Sequence, residues 1–189
     1  MIDHIILKDC MIQYLYIRNM KRSKFIKTTF QDFLNENNLN DNFLKWFNGS
    51  KIIYGSGKAL VVYHGSQTEF SEFASDSYFT DDWFNADGYA GGEYVYEVYL
   101  SIKNPLILDC DGKKWDEIDT PYGTSTQEVC GNVDRKKYDG IIFNNIKDSW
   151  IDDADYQDAG TIYFTFKSNQ IKSVDNDGSW DLDDNDINS

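Results

Sequence analysis

From Tyr94 to Ile102 the chain alternates with a period of two. Tyr94, Tyr96, Val98, Leu100 and Ile102 fall on one side, and Val95, Glu97, Tyr99 and Ser101 on the other. Successive side chains of a strand point to opposite faces, so this segment is committed to a β-strand. A strand needs partners, and other short runs supply them. Ala59-Leu60-Val61-Val62-Tyr63 is apolar and β-branched and stops abruptly at His64-Gly65-Ser66. Ser77-Tyr78-Phe79-Thr80, Leu106-Ile107-Leu108, Ile141-Ile142-Phe143 and the run from Ile162 to Phe166 have the same character. Ile52-Ile53-Tyr54 and the run from Ala59 flank Gly55-Ser56-Gly57, which predicts a hairpin.

Helical signals are fewer. A pattern beginning at Thr28 or Thr29 places Phe30, Phe33 and Leu34 on one face, and Phe43, Leu44, Trp46 and Phe47 suggest a second short helix ended by Asn48-Gly49-Ser50. Asp81-Asp82 can cap a helix through Trp83, Ala86 and Tyr89, stopped by Gly91-Gly92. Residues 109–135 read as a helix and loops. Helices first, then six or seven short strands with one or two helices among them, specify an α+β fold with a largely antiparallel sheet. The expected division is an N-terminal extension over residues 1–27, a folded domain over 28–174, and a loose acidic tail over 175–189.

The net charge of −14 argues against a surface that grips nucleic acid, which needs clustered Lys and Arg. It leaves two readings of the acidic surface, a solvated face or attraction to a basic partner. No apolar run reaches the length of a membrane span. Ile5 to Met20 is interrupted by Lys8, Asp9 and Arg18, so it does not read as a signal peptide. The three cysteines, Cys10, Cys110 and Cys130, are far apart and show no metal-ligand spacing. A reducing, cytoplasmic setting and no metal are expected. Asp175, Asp177 and Gly178 have a partial calcium-loop spacing, but Ser173 and Asp184 stand where that loop needs an aspartate and a glutamate.

Gly55-Ser56-Gly57-Lys58 fails as a phosphate loop, which needs a glycine at Ile52 and a hydroxyl residue at Ala59. His64 is the better candidate. It ends a buried run and is followed by Gly65, whose missing Cβ lets another backbone or a ligand approach closely. An isolated histidine there would ordinarily be a core or edge residue, so its role depends on what joins it.

Two further pieces do, and together they carry a resemblance. Val62-Tyr63-His64-Gly65-Ser66 resembles the first motif of ADP-ribosyltransferases of the diphtheria-toxin and poly(ADP-ribose) polymerase type, and Ser77-Tyr78-Phe79-Thr80 their second. Tyr89, eleven residues after Tyr78, stands where that family has a second nicotinamide-stacking tyrosine, while Ala86 stands where it usually has serine. The wording is most similar to the ADP-ribosyltransferase-like modules of phage polyvalent proteins. Phe47-Asn48-Gly49-Ser50-Lys51-Ile52, Val98-Tyr99-Leu100 with Asn104-Pro105-Leu106, Tyr138-Asp139-Gly140-Ile141-Ile142 and Asn169-Gln170-Ile171-Lys172-Ser173 extend it over residues 43–181.

The resemblance implies a split antiparallel sheet with N-terminal helices, and NAD as co-substrate. His64 would bond an NAD ribose hydroxyl, the Gly65 backbone the nicotinamide amide, and Ser66 would sit beside it. Tyr78 and Tyr89 would sandwich the nicotinamide ring. The third motif is open: the family's glutamate position falls on Ile162, and Gln170 is the alternative. The activity implied is mono-ADP-ribosyl transfer to a protein acceptor in a host cell, as a toxin or effector; the net charge suits an acceptor that is basic or handles nucleic acid. An NAD glycohydrolase and an inactive acidic interaction module are the alternatives.

Overall fold

The alternating segment is a strand in the computed structural model, which describes residues 41–148 and 159–189, all within a unit running from Leu39 to Ser189. The expected extension over residues 1–27 and the helix from Thr28 lie outside the described residues.

Among the described residues seven strands form one sheet: β1 (Val62–Ser66), β2 (Ser77–Thr80), β3 (Tyr94–Leu100), β4 (Leu106–Asp109), β5 (Gly140–Ile146), β6 (Gly160–Thr165) and β7 (Ile171–Ser173). Their order across the sheet is β4-β5-β6-β2-β1-β3-β7. Every neighbouring pair is antiparallel except β4 and β5, which run parallel from Leu106↔Ile141 to Asp109↔Asn144. Three α-helices join them among the described residues: α1 (Asp41–Phe47), α2 (Trp83–Ala90) and α3 (Thr126–Asn132). The fold is α+β. The hairpin predicted around Gly55-Ser56-Gly57 is present in reduced form, as a bridge between Ile53 and Ala59 closed by Tyr54 N–H to the Lys58 carbonyl at 2.8 Å.

The sheet buries both faces. Ile141, Phe143, Ile162 and Phe164 point to one side with Ile118, Val129 and Val133, while Ile142 and Tyr163 point to the other with Val62, Phe79, Val98 and Leu100. In β3 the alternation gives way to three consecutive buried residues, Val98, Tyr99 and Leu100. The reason is a cover over the face that Tyr99 points to, opposite Val98 and Leu100. Phe43 of α1 meets Tyr99 at 5.4 Å and Trp180 at 4.8 Å, both edge to face, and Trp46 lies 5.6 Å from Trp180.

Trp180 belongs to the segment expected to be loose, and that expectation is corrected. The tail is packed. Ile187 is buried, donates its N–H to the Ser71 carbonyl and accepts from the Ser173 N–H. Beneath it Lys172 is fully buried, with its Nζ donating to the Asp184 and Asp186 carbonyls at 3.1 and 2.7 Å and to Ser189 Oγ at 3.0 Å. Burial lowers the Lys172 pKa, and the surrounding aspartates oppose that shift. The calcium-like spacing closes turns instead: Asn176 Oδ1 accepts from the Gly178 and Trp180 N–H groups, and Asp177 Oδ1 from Ser179.

Helix α2 is set where its signals put it. The Asp82 carboxylate accepts from Phe84 N–H at 2.9 Å, and Gly91, at φ 64°, ends the helix in the left-handed conformation. Its buried residues are Ala86 and Ala90, one turn apart, so the helix presents almost bare backbone to β1. Gly65 completes the fit. A Cβ there would lie 1.8 Å from the Ala86 carbonyl oxygen and 2.7 Å from the Ala90 nitrogen. The close approach required of Gly65 is that of a helix. Gly65→Ala must therefore push α2 off the sheet and is expected to lower stability by about 3 kcal/mol, the upper end for an overpacked site. Urea denaturation measures this, and an unchanged midpoint would contradict the packing.

Candidate active site

β1 and β2 touch at a single register pair, Tyr63↔Thr80, whereas β1 follows β3 from Val62↔Val98 to Ser66↔Tyr94. Beyond Tyr63 the two strands diverge and the sheet is split. His64 stands in the fork. Its Nδ1 lies 2.7 Å from the Tyr78 carbonyl oxygen, which can only accept, so Nδ1 carries the proton and Nε2 is left as an acceptor. Aromatic rings hold the imidazole, with Phe73 at 5.0 Å edge to face and Phe79 at 5.5 Å. Burial lowers the His64 pKa, with the bond to Tyr78 opposing the shift, so the ring is neutral at neutral pH.

The fork opens into a cleft of about 430 Å³, within the range of small-molecule sites. His64, Gly65, Tyr78, Tyr89 and Ile162 all line it. Tyr78 is half-buried, its ring packed at 4.6 Å on Phe164 and its hydroxyl donating to Cys130 Sγ at 3.3 Å. Tyr89, on α2, is 47% exposed and donates its hydroxyl to Asp148 Oδ1 at 2.8 Å. Burial is the largest of the influences raising both tyrosine pKa values, so each presents a neutral ring.

Other predicted residues stand elsewhere. Ser66 ends β1 outside the cleft lining and closes a turn: its Oγ donates to the Thr68 carbonyl at 2.8 Å and accepts from Thr68 N–H at 3.1 Å. Gln170 is a correction. Its Oε1 accepts from the Phe166 and Lys167 N–H groups at 3.0 and 2.9 Å, and its Nε2 donates to the Asp139 and Ser101 carbonyls. All four capacities of the amide are occupied in holding the turn before β7. It lies outside the cleft lining and is structural. Ile162 is the third-motif candidate that reaches the cleft, opposite Thr80 in the β2–β6 ladder.

Sequence reasoning missed a second wall of the cleft, formed by Asn85, Trp115, Thr126, Gln127 and Asp148. Asp148 follows the last residue of β5, Ile146, by two positions, and burial raises its pKa while the Tyr89 hydroxyl opposes the shift. Asn85 Nδ2 donates to the Asp148 carbonyl at 2.5 Å, and Asn85 Oδ1 is buried without a partner among the described residues. The one available signal was an acid placed directly after a buried strand. Nothing in the local pattern distinguished it from a turn residue.

The arrangement can clasp a planar ring, accept a hydrogen bond from a hydroxyl at His64 Nε2, and present one carboxylate. It is not built for thiolate attack: burial pushes the Cys130 thiol up to about 11, which keeps it protonated. Among the described residues no group of acidic, histidine or cysteine side chains is arranged to hold a metal ion, and no helix is long and apolar enough to cross a membrane.

Because His64 has a lowered pKa, the folded chain binds fewer protons than the unfolded one just below pH 6.5, the ordinary histidine value. Stability therefore falls as pH drops from about 6.5 through the lowered value, and is untouched by this group above that window. Ring-proton NMR titration, with His64→Gln to assign the signal, measures the shift. A His64 ring titrating at or above 6.5 would contradict it.

A family model described as ADP-ribosyltransferase in polyvalent proteins matches residues 55–181, a span that contains every residue lining the cleft. Comparisons with curated proteins and with solved structures give no match.

Proposed function

The chain belongs to the ADP-ribosyltransferase family of polyvalent proteins, and on that premise we propose that it is an NAD-dependent mono-ADP-ribosyltransferase acting on a protein acceptor. One observation carries the reading: His64, Gly65, Tyr78 and Tyr89, from β1, β2 and α2, meet on one cleft. Tyr78 and Tyr89 clasp the nicotinamide ring, using the stacking that neutral aromatic rings favour. His64 Nε2 accepts a hydrogen bond from an NAD ribose hydroxyl. The β1 edge at Gly65, facing β2 beyond the last register pair, offers backbone groups to the nicotinamide amide.

The chemistry suits such a site. The bond between the ribosyl carbon and the nicotinamide nitrogen breaks, the electron pair leaves with nicotinamide, and the acceptor attacks a cationic centre. Orientation and electrostatic stabilisation supply most of the rate, with little need for a protein nucleophile. An apolar Ile162 at the third position supports a single transfer rather than chain extension. The charge of −14 favours a basic acceptor, such as a protein that handles nucleic acid. The free thiols of Cys110 and Cys130 suit a reducing cytoplasm. Ile162 also favours a second reading, a module that holds NAD without turning it over.

Release of nicotinamide from NAD, followed chromatographically in the presence of host lysate, separates the two. The transferase reading predicts release coupled to labelling of a protein, with His64→Ala and Tyr78→Ala each lowering the rate by about 100-fold or more, the scale of losing an orienting contact. Release without labelled protein would select hydrolysis. Binding of NAD without release would overturn the transferase reading.

A further inference from the structure

The reaction proposed for the cleft builds positive charge at the ribosyl carbon as nicotinamide leaves, and a preorganised negative charge near that carbon lowers the barrier. The third position provides none, because Ile162 is an apolar, buried residue. Among the described residues that line the cleft, Asp148 is the one acid and none is a lysine or arginine. We propose that Asp148 is the working carboxylate of this site, supplied from the segment after β5 rather than from the start of β6. The proposal rests on the NAD-transferase reading of the cleft.

The geometry fixes Asp148 from two sides. Tyr89 donates its hydroxyl to Oδ1 at 2.8 Å, and Asn85 Nδ2 donates to the backbone carbonyl. Both partners lie on α2, so the helix that carries the outer tyrosine also positions the acid. The negative charge of Asp148 is also among the influences that raise the pKa of Tyr78, which places it within electrostatic reach of both rings. A nicotinamide clasped by Tyr78 and Tyr89 therefore leaves its ribosyl carbon in the field of this carboxylate. Oδ1 is engaged with Tyr89, and the carboxylate has further lone pairs to offer. In the step proposed, the bond from the ribosyl carbon to nicotinamide breaks and its electron pair departs with nicotinamide. A lone pair of the acceptor hydroxyl or amine forms the new bond to carbon. The acceptor's proton passes to the Asp148 carboxylate and from there to water.

Asp148→Asn keeps an oxygen to accept from Tyr89 and removes the charge, whereas Asp148→Ala removes both. Nicotinamide release and NAD affinity by calorimetry are measured for wild type, both variants and Asp148→Glu, with thermal melts confirming the fold. The expected result is a kcat for Asp148→Asn lower by about 100-fold or more, as when one preorganised electrostatic group is lost, with NAD affinity changed by less than about threefold. Asp148→Ala should lose kcat and also raise KM, as Tyr89 loses its anchor, and Asp148→Glu should recover at least about tenfold over the asparagine variant. A wild-type kcat in Asp148→Asn, or a loss of NAD affinity alone, would overturn the proposal and leave Asp148 a tether for Tyr89. An inert wild type would overturn the transferase reading itself, and this proposal with it.

Discussion

The hydrogen bond from His64 Nδ1 to the Tyr78 carbonyl is the contact on which the rest of the structure turns. It stands where a ladder between β1 and β2 would otherwise continue past Tyr63↔Thr80. A sheet that parts in its middle leaves polar backbone groups without partners, and each one buried that way costs about 1–3 kcal/mol. The imidazole satisfies one of them with a side chain. It is kept neutral by burial and fixed by Phe73 and Phe79, so the sheet stays split while both halves remain packed.

The cleft follows from that split combined with a second constraint, the absence of side chain at Gly65. Ala86 and Ala90 let α2 lie directly on β1, and only a residue without a Cβ tolerates the Ala86 carbonyl so close. The helix then carries Tyr89 to the edge of the fork, while β2 carries Tyr78 to its other wall. Asp148 joins Tyr89 from the far side. Packing and site are thus the same set of contacts. Changes that loosen α2 are expected to alter ligand affinity as well as stability.

Much of this was legible in the sequence, for definite reasons. The period of two in β3, the Asp82 cap and the Gly91 stop are local signals, and local physics fixed those elements. His64, Tyr78 and Tyr89 were found together because their spacing resembles a family. The tail was misread because composition counts its aspartates and asparagines but not the two apolar anchors, Trp180 and Ile187, nor the buried Lys172 that gathers its carbonyls. Gln170 stands within a motif in sequence, yet its amide is committed to four backbone groups. Asp148 was invisible for the opposite reason: its partners, Tyr89 and Asn85, lie 59 and 63 positions away, and only the fold brings them to it.

In the function proposed, the fork between β1 and β2 receives the nicotinamide end of NAD. A crystal structure of the protein soaked briefly with NAD, or with nicotinamide if the dinucleotide is turned over, tests it most directly. The expected result is a pyridine ring between Tyr78 and Tyr89 with its carboxamide against the Gly65 backbone and, for the dinucleotide, a ribose hydroxyl at His64 Nε2. A ligand bound away from the fork, or a cleft that stays empty at saturating nucleotide, would contradict it.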